Sequence, residues 1–153
     1  ARRCVKETGV GFLGASFLRD KLYNRVKKIG FYLPPIIDKT AILANNISIG
    51  EGSYIGKGVV INSKSKIGKM CIINTRAVVE HENLIGDFSH ISVNSVLCGN
   101  VNIGNHVFIG ANSTIIQGKE VSSNSIVGAG SIVLGNVSEK SKIYGIWTGK
   151  LEK

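Results

Sequence analysis

The chain has 153 residues and a net charge of +9, with 43% hydrophobic but only 7% aromatic residues and 19 glycines against 2 prolines. That length supports one core plus an appendage, and the core has to be aliphatic, built from Ile, Val and Leu. No apolar run approaches the roughly 18–20 residues of a membrane span, and ARRCVKETGV lacks the apolar stretch of a signal peptide, so a cytoplasmic protein outside the membrane is expected.

The start at Ala1 rather than Met fits a fragment or a processed product. Cys4, Cys71 and Cys98 have no metal-like spacing and read as reduced thiols, with Cys71 packed inside. Residues 1–39 hold nine of the 19 basic residues and three acids, whereas residues 40–138 are nearly balanced, six against five. Neither a basic patch of the kind that stacking aromatics interleave nor a nucleic-acid-binding motif is found, which argues against nucleic acid. The excess suits a polyanionic small ligand, and equally a solvated basic end.

Residues 9–14, GVGFLG, spell G-x-G-x-x-G ahead of a helix. No full βαβ unit surrounds the motif and no acidic ribose partner follows about 20 residues on, so no dinucleotide site is expected. Residues 15–29 space Leu18, Leu22, Val26 and Ile29 on one helical face, with Ser16 as N-cap and Gly30 as stop. FYLPP, residues 31–35, is a linker or entry segment.

From Ile37 the chain divides into 17 blocks of six without an insertion, and every block opens on Ile, Leu or Val. The second residue is Gly in seven blocks and Asn or Asp in three more, types that tolerate positive φ or close backbone approach, so a turn is expected there. The fifth is mostly small. Period six is neither a helix nor a hairpin meander; it belongs to a parallel β-helix, one short strand and one turn per block, with the leading aliphatic inside. The expected class is all-β. After Ser138 the repeat stops, and Ile143, Tyr144, Ile146 and Trp147 are candidates to cap the open end.

One block departs from the pattern. VEHENL, residues 79–84, puts Glu80, His81 and Glu82 where neighbouring blocks put glycine and small polar residues. A carboxylate beside a histidine orients its ring and strengthens it as a base, as acyl transfer to a hydroxyl or amine requires. An exposed turn histidine without a role is the plain alternative.

The six-residue pattern resembles the hexapeptide-repeat acyltransferase family. The run INTRAVVEHENLIGDFSH, residues 73–90, resembles its branch of sialic acid O-acetyltransferases and nucleotide-linked amino-sugar N-acetyltransferases. The likeness extends over about residues 15–145. It implies a left-handed β-helix of nearly six coils, three blocks to a coil, so that residues 18 apart stack. It implies residues 1–36 as the end of an α/β nucleotide-sugar-binding domain, 37–138 as the acetyltransferase β-helix and 139–153 as a cap.

The resemblance also implies roles. His81 would be the general base and Glu82 the residue that raises its basicity. His90 would contact acetyl-CoA, and Gly99 would offer its N–H to the thioester carbonyl. Ala111 and Ala129 would line the coenzyme groove, on a different edge from His81 and Gly99. Asn74 is a candidate for contacting the acceptor, although Asn62 fills the same slot as a turn residue. Family members are homotrimers with acetyl-CoA bound between subunits, which would bring the two edges together. Transfer would be direct; Cys98, beside Gly99, has no histidine in its block. The family tail G-x-P-A-K is replaced here by GIWTGK, residues 145–150.

The expected activity is therefore acetyl transfer from acetyl-CoA to a sialic acid hydroxyl or a nucleotide-linked amino sugar. Two other classes stand beside it. A zinc carbonic-anhydrase-type enzyme would use His81, His90 and His106, but their intervals of 9 and 16 do not match that family's pattern. A non-catalytic trimeric scaffold would keep the repeat for shape alone, and the Glu-His-Glu interruption argues against it.

Overall fold

A computed structural model describes residues 17–149. The GVGFLG motif, Cys4, Ser16 and Lys150 lie outside the described residues.

Each block forms a two-residue strand and a four-residue turn, and the strands stack into three parallel sheets of seven, seven and five strands. The first sheet holds Tyr54–Ile55, Ile72–Ile73, His90–Ile91 and Phe108–Ile109 among its strands. The second holds Val60–Ile61, Val78–Val79, Val96–Leu97 and Thr114–Ile115, and the third Lys66–Ile67, Leu84–Ile85 and Asn102–Ile103. Strand partners lie one coil apart: Tyr54 is opposite Ile72, and Ile72 opposite His90. The period-six aliphatics therefore point into one continuous core, fully buried at Ile55, Ile61, Ile73, Ile91, Leu97, Ile103, Ile109 and Ile115. At the amino-terminal opening none of the described residues stacks a strand below the first coil, and Ile37 is 44% exposed while Leu43 and Ile49 are half-buried.

Two features of the turn explain the block composition. Positive φ falls on the fourth residue, in fourteen successive blocks from Gly52 to Gly130, including Lys64, Met70, Arg76 and Glu82. The second-position glycines serve the other purpose their type allows, close approach. A Cβ on Gly50 would stand 2.5 Å from the backbone of Gly68, and one on Gly110 2.4 Å from the amide of Ala129. The left-handed fourth residue costs about 1–2 kcal/mol for a side-chain-bearing residue. The stack holds it there: its N–H donates to the coil below, as from Glu82 to Ser63 O (2.9 Å) and from Phe88 to Lys69 O (2.9 Å).

The small fifth residues form a buried ladder. Ser89 Oγ donates to Gly104 O (2.8 Å) and accepts from Val107 N (3.0 Å). Ser53, Ser65, Ser95 and Ser113 donate in the same way. Cys71 occupies this slot with its Sγ 3.1 Å from Gly86 O, buried as expected, and burial pushes its thiol up to about 12.

The helix, α1 (Leu18–Lys28), is shorter than the predicted 15–29, and Gly30 at φ +89 ends it. Its docking face differs from the predicted one. Leu18 and Ile29 are 49% and 63% exposed, and Leu22 and Val26 are half-buried. The buried residue is Arg19, which donates to the carbonyls of Phe88 and Met70. Asp20 pairs with His106 (3.3 Å), and Tyr23 donates to Glu51. These polar groups win because the helix lies on the edge between third and first sheets, where turn carbonyls and the stacked rings of Phe88 and His106 face outward.

Parallel pairing continues past residue 138. Ile126 pairs with Lys142 and Ile132 with Ile146, so the last coil is shortened. Of the candidate cap residues, Ile143 is buried, and Trp147 packs on the core and donates from Nε1 to Asn136 O (3.1 Å). Tyr144 and Ile146 do not cap: they are 70% and 69% exposed.

The outer faces differ in chemistry. The second sheet presents Ile42, Val60, Val78, Val96, Thr114 and Ile132, and the first presents Tyr54, Ile72 and Ile126. The third presents Ser48, Lys66, Leu84, Asn102 and Glu120.

Candidate active site

His81 and Glu82 sit in the turn at residues 80–83, on the edge between second and third sheets. Glu82 is the left-handed residue of that turn, φ +60. This bend brings its Oε2 to 3.2 Å from His81 Nδ1. Its other oxygen, Oε1, accepts from Lys64 Nζ (3.2 Å), one coil below. The Lys64 ammonium first, and His81 second, hold the Glu82 carboxyl below the usual range. Glu82 can only accept here, so the contact orients the ring by Nδ1 and turns Nε2 away from the carboxylate. Glu80 faces away from this pair; its Oε2 accepts from Asn62 Nδ2 (2.9 Å).

Gly99 lies one coil above His81, under the imidazole. A Cβ there would stand 2.5 Å from His81 Nε2 and 2.6 Å from Cε1. Among the described residues the N–H groups of Gly99, Ala111 and Ala129 donate to no protein acceptor.

The other candidates lie elsewhere. His90 is buried in the first sheet, its Nε2 3.3 Å from Asn74 Nδ2, with Phe108 edge-on at 5.2 Å. Asn74 opens the turn between first and second sheets, and its Oδ1 accepts from Thr75 N (2.8 Å). Ala111 and Ala129 stack on that same edge. One chain thus sorts the seven predicted residues into two groups, His81, Glu82 and Gly99 on one edge, and Asn74, His90, Ala111 and Ala129 on the other, with the apolar second sheet between. His106 belongs to neither group, being engaged by Asp20 and Phe17. Among the described residues no group of three His, Cys, Asp or Glu is placed to hold a metal.

Sequence reasoning missed Lys64. The signal was there: Lys64 is one coil before Glu82, and opposite charges at that spacing stack. Asn62, read as a turn residue, is similarly the partner of Glu80.

No protein-family model matches the chain, and no curated protein matches it. Solved structures do. A GDP-perosamine N-acetyltransferase from Caulobacter crescentus, solved with one histidine replaced by alanine and in complex with CoA and GDP-perosamine, is 34% identical over 84% of this chain, with TM-score 0.83. The acetyltransferase domain of PglB from Neisseria gonorrhoeae, in complex with acetyl coenzyme A, is 29% identical over 84% of the chain, with TM-score 0.81. WeeI from Acinetobacter baumannii is 27% identical over 84%, with TM-score 0.80. The chain spans 61%, 62% and 63% of these three structures, respectively. In its six-residue repeat and its β-helix the chain is similar to these solved structures, two of which are acetyltransferases holding CoA or acetyl coenzyme A.

Proposed function

We propose that the chain transfers an acetyl group from acetyl-CoA to the amine of a nucleotide-linked amino sugar. The observation that carries this reading is the Lys64–Glu82–His81 line ending at Gly99. It sets an imidazole, held at Nδ1 by a carboxylate, beside an unengaged backbone N–H, at a place where a packed solenoid has no structural need for either. The solved relatives favour an amine over a sialic acid hydroxyl, since the Caulobacter protein is an N-acetyltransferase bound to GDP-perosamine.

The edge of Ala111 and Ala129 suits an extended coenzyme. Gly110 and Gly128 beside them carry no side chains of their own, the ring of Tyr144 lies over Gly128, and the alanine N–H groups are available to the amides of a pantetheine arm. CoA, when bound, supplies the acetyl group as a thioester. His81 accepts the proton of the attacking amine at Nε2, Glu82 holds the ring by Nδ1, and the Gly99 N–H faces the developing oxyanion; as the oxyanion collapses the C–S bond breaks, and the proton on His81 passes to the CoA thiolate, which leaves as the thiol. His90 and Asn74 flank the reacting end of the coenzyme and acceptor.

The two edges meet in a homotrimer. The outward Val60, Val78, Val96 and Ile132 make one apolar stripe of the kind that marks an interface. Packing that sheet against the first sheet of a neighbour sets His81 of one subunit toward His90, Ala111 and Ala129 of the next. Residues 1–36 are the junction to a nucleotide-sugar-binding domain. No described helix is long and apolar enough to cross a membrane. Use of acetyl-CoA and a nucleotide sugar favours the cytoplasm.

The test is thioester consumption with acetyl-CoA and a panel of nucleotide-linked amino sugars and free sialic acid. Turnover with an amino sugar, lowered about 10²–10⁴-fold by His81→Ala, is the expected result. Absence of acetyl-CoA binding by the wild type overturns the reading.

A further inference from the structure

Tyr144 has no structural work that matches its size. It is 70% exposed, more than any other large hydrophobic residue described, in a chain with few aromatics. Its ring lies on the backbone of Gly128: a Cβ there would stand 2.3 Å from Tyr144 Cδ1. Tyr144 takes the second position of the turn between Lys142–Ile143 and Ile146–Trp147. It therefore stacks on the column of Asn74, Ser92, Gly110 and Gly128. That is the edge of Ala111 and Ala129. The column passes the level of His90 at Ser92 and ends, three coil steps or about 14 Å later at strand spacing, on an exposed aromatic ring. Its positions nearest the ring, Gly110 and Gly128, carry no side chain at all. A smooth channel that starts beside reactive groups and ends on a flat π-face fits a ligand with a thioester at one end and a purine at the other.

We propose that Tyr144 is the stacking platform for the adenine of acetyl-CoA. The inference rests on the acetyl-CoA reading above and extends it to the adenosine end. Base–aromatic stacking is tolerant of register, so a ring on a short terminal turn suffices. Lys142, exposed in the strand leading into that turn, supplies a cation for the phosphate on the ribose. The GIWTGK tail then need not reproduce the G-x-P-A-K loop, because the platform comes from the residue just before it.

The experiment measures equilibrium binding of acetyl-CoA and of acetyl-pantetheine, which lacks the adenosine, to the full chain by calorimetry. Tyr144→Ala is expected to weaken acetyl-CoA about tenfold and to leave acetyl-pantetheine unchanged. Tyr144→Phe keeps the π-face and binds acetyl-CoA as the wild type does. Should Tyr144→Ala weaken both thioesters equally, or neither, the platform is overturned. The same holds if the nucleotide sugar, rather than acetyl-CoA, loses affinity. Circular dichroism checks that the variants fold, and Tyr144→Phe carries the test if Tyr144→Ala does not. A wild type that binds neither thioester overturns the acyltransferase reading and the platform with it.

Discussion

The imidazole of His81 occupies the space that a side chain on Gly99 would fill, with Nε2 only 2.5 Å from the would-be Cβ. The proposed base and the proposed oxyanion donor thus depend on each other: the ring occupies its place only while residue 99 has no Cβ. Gly99→Ala is expected to push the ring off its seat and lower kcat/KM about 10²-fold, the usual cost of displacing a reacting group by about 1 Å. His81 is on the surface, so the melting temperature should hardly change. Steady-state kinetics beside a thermal melt will check both.

The Glu82 carboxylate is held ionised by Lys64 and then by His81. Its depressed pKa means that this support is present above the ordinary carboxylate range and is lost as pH falls through the lowered value. Glu82→Gln removes a negative charge from His81, so the acidic limb of the pH–kcat/KM profile is expected to move to lower pH and the plateau to drop. Lys64→Met removes a positive charge and is expected to move the limb the other way by a smaller amount. An unmoved limb in both variants would show that neither charge reaches the base.

Helix α1 is attached by polar groups, which makes its docking sensitive to alkali. The hydrogen bond to Glu51 raises the Tyr23 pKa from 10 to about 12. The raised value means that this contribution is complete below pH 10 and fades as pH rises toward about 12. Hydrogen exchange of residues 18–28 should accelerate over that window in the wild type, and much less in Tyr23→Phe. Arg19→Met leaves the carbonyls of Phe88 and Met70 without their charged donor, and should cost about 1.5–3 kcal/mol in denaturant melts.

The fifth-position ladder gives an internal control. Ser89→Ala strands a buried carbonyl and a buried N–H, and is expected to cost about 1–3 kcal/mol. Cys71→Ser installs the group that most other coils already use, and should be close to neutral. In the native protein Cys71 should resist alkylation, since burial raises its pKa to about 12, and should label on unfolding.

The apolar second sheet predicts assembly. Val78→Lys combined with Val96→Lys places two charges on its outer face and should convert the proposed trimer to monomer in light scattering. Acetyl transfer should fall with it if the proposed site draws on two subunits.

What could be read from the residues alone is set by what repeats. Every leading aliphatic from Ile55 to Val133 is buried, because a period of six allows those side chains a single direction. The special block was readable for the same reason, since Glu80-His81-Glu82 stands out against a regular background. The turn was read less well. Glycine marks two needs, and only the folded chain separates the close approach at Gly50 from the left-handed backbone at residues such as Lys64 and Met70. The helix was read worst. Its apolar spacing at Leu18, Leu22, Val26 and Ile29 is real, but the surface it meets is made of turn carbonyls and rings, so Arg19 faces inward and Ile29 faces water. Lys64 was missed because a charge pair across coils is invisible until the coil length is applied to it.

The coil length also sets which edits the chain can absorb. Removing 18 residues from the middle of the solenoid would shorten the rod by one storey and leave every later residue on its own edge. Removing six would keep each strand and each leading aliphatic, yet rotate everything beyond the cut by a third of a turn. Ala111 and Ala129 would then arrive on the edge between third and first sheets, where helix α1 docks, and Tyr144 with them. The architecture behaves as a three-position dial. A one-block deletion should fold, melt cooperatively and still lose the coenzyme, because the parts of its site would have been dealt to the wrong faces.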